Sequence, residues 1–337
     1  MSAIIVDNVN NLSGAPRVAR DIADVIGAPI YCIREESRPS YRATGVGIRS
    51  SHLVGYFAGS VALMTNYRFV KAALRSDVVI CNTSLTFLFA LVARLFGKRV
   101  ICVVHESKPK NILYRVAFFC TFRVAHMVVT PSRLAYADLN IPMRRWKVIA
   151  NSLPLAYAEN QESVAGESRY IYLLFVDGGR AYKGGELFRQ VKHLAQMSGH
   201  DHLRFHATSS QEFRDYAGPL SDLGPEIYCK YHFVLVLTDN ASWRETFGLV
   251  GCEGAACRCV PLFTDTFAYR ELWGAFENDL YISRYDPSEV LLRVTRLLIF
   301  PERFEELRQS VREHALAVCD RTRFSEAWRT LLANVDA

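Results

Sequence analysis

The chain has 337 residues, half of them hydrophobic, with 40 Lys+Arg against 34 Asp+Glu for a net charge of +6. That length and apolar content favour two domains with their own cores, and no apolar run reaches the roughly 18 residues of a membrane-spanning helix. Nine scattered cysteines, an odd number with no C-x-x-C pair, argue against a disulfide framework or a four-ligand zinc site and for buried thiols in a reducing compartment.

Taken in order, the first half alternates between strand-like and helix-like segments. Ile4–Val6 reads as a strand at the very start, with no secretory leader expected. A loop over Asp7–Gly14 leads to a helix over Ala15–Ile26, and Pro29–Ile33 reads as the next strand. Arg34–Ser51 reads as a polar, irregular loop, and His52–Arg75 as helical. Asp77–Cys81, Arg99–Val104, His126–Thr130 and Trp146–Ile149 are short apolar strands, with helices expected over Thr83–Phe96 and Ile112–Phe122. The longest apolar run, Leu85–Ala93, lies in the first of these helices. Such alternation predicts a parallel, doubly wound sheet.

The polar stretch Leu155–Arg169 reads as a linker. A second unit then begins with a strand over Tyr170–Val176, a glycine loop and a helix over Gly185–Met197. Leu203–His206, His232–Leu237, Val260–Phe263 and Leu280–Ile282 read as strands. Three helices close the chain, over Ser288–Ile299, Glu302–Cys319 and Ser325–Asn334. No repeat of 20–50 residues runs through the chain, which excludes a solenoid.

Charge is uneven. Residues 1–168 hold 20 Lys+Arg and 11 Asp+Glu, a balance of +9, while residues 169–337 hold 20 and 23, a balance of −3. The basic half suits an anionic surface or acceptor, such as lipid head groups or a lipid diphosphate; the alternative is ordinary surface arginine. Lys108–Arg123 carries Lys108, Lys110, Arg115 and Arg123 among Leu, Phe and Val. It fits either a helix lying on an anionic membrane or one with a buried face.

Four places carry candidate chemistry. Ser242–Pro261 holds Glu245 and Glu253 eight positions apart, with an apolar strand on each side. Glu245 is expected in a loop at the C-terminal edge of the sheet, where open α/β sheets bind ligands. Glu253 is expected about two helical turns on, since eight residues at ~1.5 Å rise span ~12 Å. The alternative for such spacing is two solvated glutamates on one helix. Asn10–Val18 includes Ser13, Gly14 and Arg17 where a helix starts after the first strand, a place that attracts phosphate or a sugar oxygen. His105, followed by Glu106 and Ser107, stands at the tip of the Val100–Val104 strand. In Phe175–Gly185, Gly178 and Gly179 precede Arg180 and Lys183 before a helix. Cations aimed there would stabilise charge growing on a leaving phosphate.

The Glu245/Glu253 spacing, with Phe247-Gly248-Leu249 between and small residues after, resembles the E-x7-E motif of retaining GT-B glycosyltransferases, family 4 in particular. Asn10–Val18 is similar to that family's Gly-Gly-x-x-Arg-Val start, with Ser13 in place of one glycine. Thr130-Pro131-Ser132 and Val148-Ile149-Ala150-Asn151 resemble two of its architectural landmarks. Two departures stand out. The Arg-to-Lys spacing is short, so that Gly178 takes the place of the family's arginine. After the second glutamate, Cys257-Arg258-Cys259-Val260-Pro261 replaces Cys-Gly-x-Pro.

The resemblance implies an α/β fold of GT-B type, two Rossmann-like domains facing each other across a cleft. Residues 1–154 would bind the acceptor and 170–320 the nucleotide-sugar, with 155–169 as linker and 321–337 as a helix returning to the first domain. It implies transfer of a sugar from a nucleotide-sugar, as substrate and with no cofactor, to a hydroxyl of a glycan or lipid-linked glycan in cell-surface polysaccharide synthesis. His105, Glu245, Lys183 and Arg180 would be catalytic. Glu253, Gly178, Gly179, Phe247, Gly248 and Leu249 would hold the donor, and Ser13, Gly14 and Arg17 the acceptor or phosphate. No D-x-D occurs, which suits metal-independent transfer. A cytoplasmic place on the inner membrane face and no nucleic-acid partner complete the expectation. Two alternatives remain at this point: a catalytically impaired GT-B subunit supporting a partner enzyme, and a sugar-nucleotide epimerase.

Overall fold

The computed structural model describes residues 2–10, 14–35, 44–45, 60–105, 112–134, 145–159, 169–176, 183–208, 224–239, 245–264, 266–283 and 285–334. It divides into two compact units, Met1–Asn151 with Thr322–Ala337, and Ser152–Arg321.

The apolar runs of the first unit become seven parallel strands: β1 Ala3–Asn10, β2 Ile30–Glu35, β3 Thr44–Gly45, β4 Val78–Asn82, β5 Arg99–Val103, β6 Met127–Thr130 and β7 Trp146–Val148. Their spatial order is β3-β2-β1-β4-β5-β6-β7. β4 is buried along its whole length and β5 from its second residue on. Strands covered on both faces read as unbroken apolar runs rather than as alternation, which is why they were visible in the sequence. β1 lies between β2 and β4. There the winding of the sheet reverses, opening the crevice in which such sheets bind ligands.

The second unit repeats the plan with β8 Ile171–Phe175, β9 Leu203–Ala207, β10 Phe233–Val236, β11 Val260–Thr264 and β12 Tyr281–Ile282, in the order β12-β11-β10-β8-β9. All pairs are parallel. The reversal falls between β8 and β10. Phe175 stacks on Phe188 of the helix Gly185–Met197 at 4.8 Å, and Phe263 of β11 stacks on Tyr269 at 4.2 Å. Burying rings of this size contributes about 2–3 kcal/mol each.

Several local expectations differ from the structure. The first strand runs on to Asn10, pairing Val9 with Arg34 and Asn10 with Glu35, so the loop expected from Asp7 begins later. Within the expected loop Arg34–Ser51, Arg34 and Glu35 belong to β2, and Thr44–Gly45 pairs with Tyr31 and Cys32. The helix expected over His52–Arg75 is described from Ser60 and breaks at Asn66. The Asn66 side chain accepts from the Arg68 and Phe69 amides at 3.0 and 3.3 Å and starts a separate helix, Tyr67–Arg75. A short amide competes with the backbone mid-helix and favours the cap. Part of the stretch read as linker, Leu155–Glu159, is a helix with Tyr157 buried. Residues 160–168 lie outside the described residues. The backbone enters and leaves the second unit through linked points: the Leu153 amide donates to the Cys319 carbonyl at 3.1 Å, and Arg321 to the Ser152 hydroxyl at 3.1 Å.

Candidate active site

In the second unit the site is built at the strand-order reversal. β8 leads through the glycine loop to Gly184, which caps the helix Gly185–Met197 at φ +89°. A Cβ there would overlap the Leu237 carbonyl just beyond β10. Only glycine brings the two strand ends this close. Lys183 is thereby set beside the segment that follows β10, and its Nζ lies 3.0 Å from Glu245 Oε2. The pair is partly sheltered, with side-chain exposures of 28% and 14%. Gly178, Gly179 and Arg180 lie outside the described residues, as do Ser13, Glu106 and Ser107.

Next comes the helix Leu249–Ala256, capped by Gly248 at φ +81°. A Cβ on Gly248 would fall within the Tyr269 ring; one on Gly251 would strike Phe263, and one on Gly254 would strike Val234. The small residues therefore let this helix lie directly on β10 and β11. Its first amides, which have no partner within a helix, start at the edge where Glu245 stands. The helix dipole adds positive potential there. Phe247 is 2% exposed, so its ring belongs to the core. Leu249 is half-buried.

Glu253 is 6% exposed, and its Oε2 accepts from the Tyr228 hydroxyl at 2.8 Å. Tyr228 is fully buried, at the end of a four-residue helix, Pro225–Tyr228. A buried carboxylate needs such partners to remain in place. The buried Tyr269 hydroxyl is pushed well above its ordinary pKa, by burial first and then by the Glu245 charge.

After this helix the chain turns through Arg258 at φ +65°, a left-handed conformation usually taken by glycine. Its guanidinium pairs with Glu305, and its carbonyl accepts from Arg308 Nε at 2.8 Å. The turn in which Cys257-Arg258-Cys259 departs from the family's Cys-Gly-x thus takes the left-handed shape, held from the helix Pro301–Val318.

The first unit has a different centre. Gly14 begins the helix Gly14–Ile26, with Arg17 half-buried in its first turn. Asn82, at the end of β4, donates from Nδ2 to the Ala15 carbonyl at 3.0 Å, and its Oδ1 meets His105 Nε2 at 2.9 Å. Since Oδ1 can only accept, the imidazole carries its proton on Nε2 in this arrangement. Burial lowers the His105 pKa to about 4, so the ring is neutral at pH 7.

The structure thus joins Lys183 to Glu245 and places Glu253 on the helix that follows, while His105 and Gly14 belong to the other unit. Sequence reasoning missed Asn82 and Tyr228. The one available signal for Asn82 was a polar residue closing an otherwise apolar strand. The helix Ile112–Val124 buries Phe118 against Phe122 at 4.8 Å while Val116 is exposed; residues 108–111 lie outside the described residues.

Two parallel, doubly wound sheets, each with one strand-order reversal, define the α/β class, and the solved structures on which the chain superposes give it the GT-B fold. No family profile and no curated protein matches the sequence. Solved structures share its fold. Anabaena HepE in complex with UDP and glucose superposes with a TM-score of 0.79 at 15% identity, over 99% of this chain and 100% of that one. Sucrose-phosphate synthase from Thermosynechococcus elongatus gives 0.76 at 13% identity, over 99% and 100%. The trehalose-6-phosphate synthase OtsA gives 0.69 at 13%, over 100% and 99%.

Proposed function

We propose that this protein is a retaining glycosyltransferase that moves a sugar from a nucleoside-diphosphate sugar to a hydroxyl of a glycan or lipid-linked glycan. The observation that carries the reading is the Lys183–Glu245 pair, 3.0 Å apart at the strand-order reversal, with buried Glu253 on the next helix. Lys183 offers a cation where a diphosphate would meet helix N-termini, and charge on the departing phosphate grows as the glycosidic bond breaks. Arg180 would assist it. Glu245 would release part of its hold on Lys183 and turn to the sugar hydroxyls. Glu253, oriented by Tyr228, would take the ribose hydroxyls, with Gly178, Gly179 and the Phe247–Leu249 backbone lining the donor. The neutral His105, its Nε2 proton donated to Asn82, would accept a hydrogen bond from a sugar hydroxyl without bringing charge, and Ser13, Gly14 and Arg17 would meet the acceptor. In this scheme the second unit binds the donor and the first the acceptor. The departing phosphate takes the acceptor's proton, and no metal is needed. The HepE structures with UDP and with UDP-glucose make a uridine nucleotide the first donor to try.

The test is thermal unfolding with uridine, guanosine, adenosine and thymidine diphosphates and their sugars, for the native chain, Glu253→Ala and Lys183→Ala. At ~100-fold over the dissociation constant, a bound nucleotide stabilises by ~2.7 kcal/mol. Stabilisation by one nucleotide, lost in both variants, is expected. Stabilisation by none would overturn the reading. Binding without slow donor hydrolysis would identify an impaired subunit instead. A product with inverted anomeric configuration would overturn retention, and activity abolished by a chelator would overturn metal independence.

A further inference from the structure

On the first unit, away from the Asn82–His105 centre, two helices present apolar side chains to solvent. From the helix Tyr67–Arg75 come Tyr67 and Leu74, and from the helix Phe87–Leu95 and the residue after it come Leu91, Leu95 and Phe96. Leu74 is 55%, Leu95 77% and Phe96 65% exposed. These are not scattered residues. Leu74 and Phe96 line one cavity of about 320 Å³, whose floor includes Phe69, Val79 and Phe89 and whose rim holds Lys98. A cavity so nearly free of polar atoms, opening on a patch of large apolar residues, marks a surface that is covered in use.

The charge around it says by what. Residues 60–105 hold Arg68, Lys71, Arg75, Arg94, Lys98 and Arg99 against one acid, Asp77, a balance of +5 where the whole chain has +6. The single carboxylate is engaged by the Ser2 amide at 2.7 Å and the Ser2 hydroxyl at 3.1 Å. Lys98 Nζ caps the end of the helix Tyr67–Arg75 through the Leu74 and Ser76 carbonyls, at 2.7 and 2.8 Å. Its charge is thereby fixed at the mouth of the cavity. Apolar side chains with Lys98 at their rim, on a stretch whose net charge is positive, match a surface that is anionic outside and hydrocarbon inside. Among the described residues no helix is long and apolar enough to cross a membrane, so the fitting partner is the face of a bilayer.

We propose that this face, the helices Tyr67–Arg75 and Phe87–Leu95 with Phe96 and Lys98, docks on an anionic lipid bilayer, inserting Leu74, Leu95 and Phe96 and seating hydrocarbon in the cavity. It does not depend on the transfer chemistry.

Sedimentation of the full chain with phosphatidylcholine vesicles, with and without phosphatidylglycerol, tests it. The native chain is expected to pellet with the anionic vesicles and not with the neutral ones, less so as salt rises. The double variant Leu95→Glu/Phe96→Glu, at two largely exposed positions outside the buried core, should bind at least about tenfold more weakly. Lys71→Ser should cost about fivefold. Nucleotide-induced stabilisation or, failing that, an unchanged melting temperature shows that the variants are folded. Equal pelleting with both lipids, no pelleting, or pelleting unchanged in the double variant would overturn the proposal. So would a dimer in sedimentation velocity that the double variant dissolves, since the face would then belong to a second copy of the chain.

Discussion

The two strand-order reversals are the same device with different side chains at the edge. In each, a parallel sheet opens and a helix begins at its edge. In the second unit that edge carries an ion pair, Lys183 with Glu245, and a buried carboxylate at Glu253. In the first it carries an amide and a neutral imidazole, Asn82 with His105, beside buried Asp7, in register with Asn82, and Arg17 in the first helical turn. In the proposed scheme the lysine of that ion pair sets the phosphates against the second unit, in a fold whose two halves otherwise look alike.

The sharpest way to break that comparison is to neutralise one side. Lys183→Ala should lower kcat by about 10²–10³ while Asn82→Ala leaves nucleotide affinity within about threefold, the size expected when a donor facing growing charge is removed; steady-state kinetics with titration of the donor checks both. An equal loss of nucleotide binding in the two variants would end the distinction.

Next in size is Gly248→Ala, which keeps charge and removes geometry. A Cβ at φ +81° meets the Tyr269 ring, so the second unit should lose about 2–4 kcal/mol, read as a lower urea midpoint. A neutral result would mean that the helix need not approach the sheet so closely. Tyr228→Phe strips one hydrogen bond from buried Glu253 and should cost about 1–3 kcal/mol; donor affinity should fall with it, by isothermal titration.

The imidazole sharpens the comparison from the other side. With His105 lowered to about 4 in the folded chain, the unfolded state binds this proton first as pH falls below its own value near 6.5. The resulting stability is complete above that pH and is lost between about 6.5 and 4. Nitrogen chemical shifts should report a neutral Nε2–H ring at pH 5.5, and an imidazolium there would refute the assignment.

Much of this plan was legible in the sequence because both sheets are parallel and covered on both faces. β4, β5, β10 and β11 appear as unbroken apolar runs, and helix starts follow them. The Glu245/Glu253 spacing was legible for the same reason, framed by two such strands. What stayed hidden was short or tertiary. Pro225–Tyr228 is one turn of helix, too brief for any periodicity. Phe267–Trp273 buries Ala268, Tyr269 and Trp273 and sits in a stretch whose helix cap, Thr266, has no distinctive spacing. The Lys183–Glu245 contact joins residues 62 positions apart, and nothing local announces that a lysine after one strand will meet a glutamate after another.

Arg258 carries a consequence for the history open to this chain. A left-handed arginine costs about 1 kcal/mol or more against glycine, and here the Glu305 carboxylate and the Arg308 side chain brace it. The smallest of the expected effects follows: Arg258→Ala should be less stable than Arg258→Gly by about 1 kcal/mol, measured by denaturant unfolding. Positions 258 and 305 are then bound to an order of change. With glycine at 258, residue 305 answers only to buried Arg308, 2.8 Å away; once arginine is in place, the same glutamate serves two guanidinium groups, and giving it up first costs more than before.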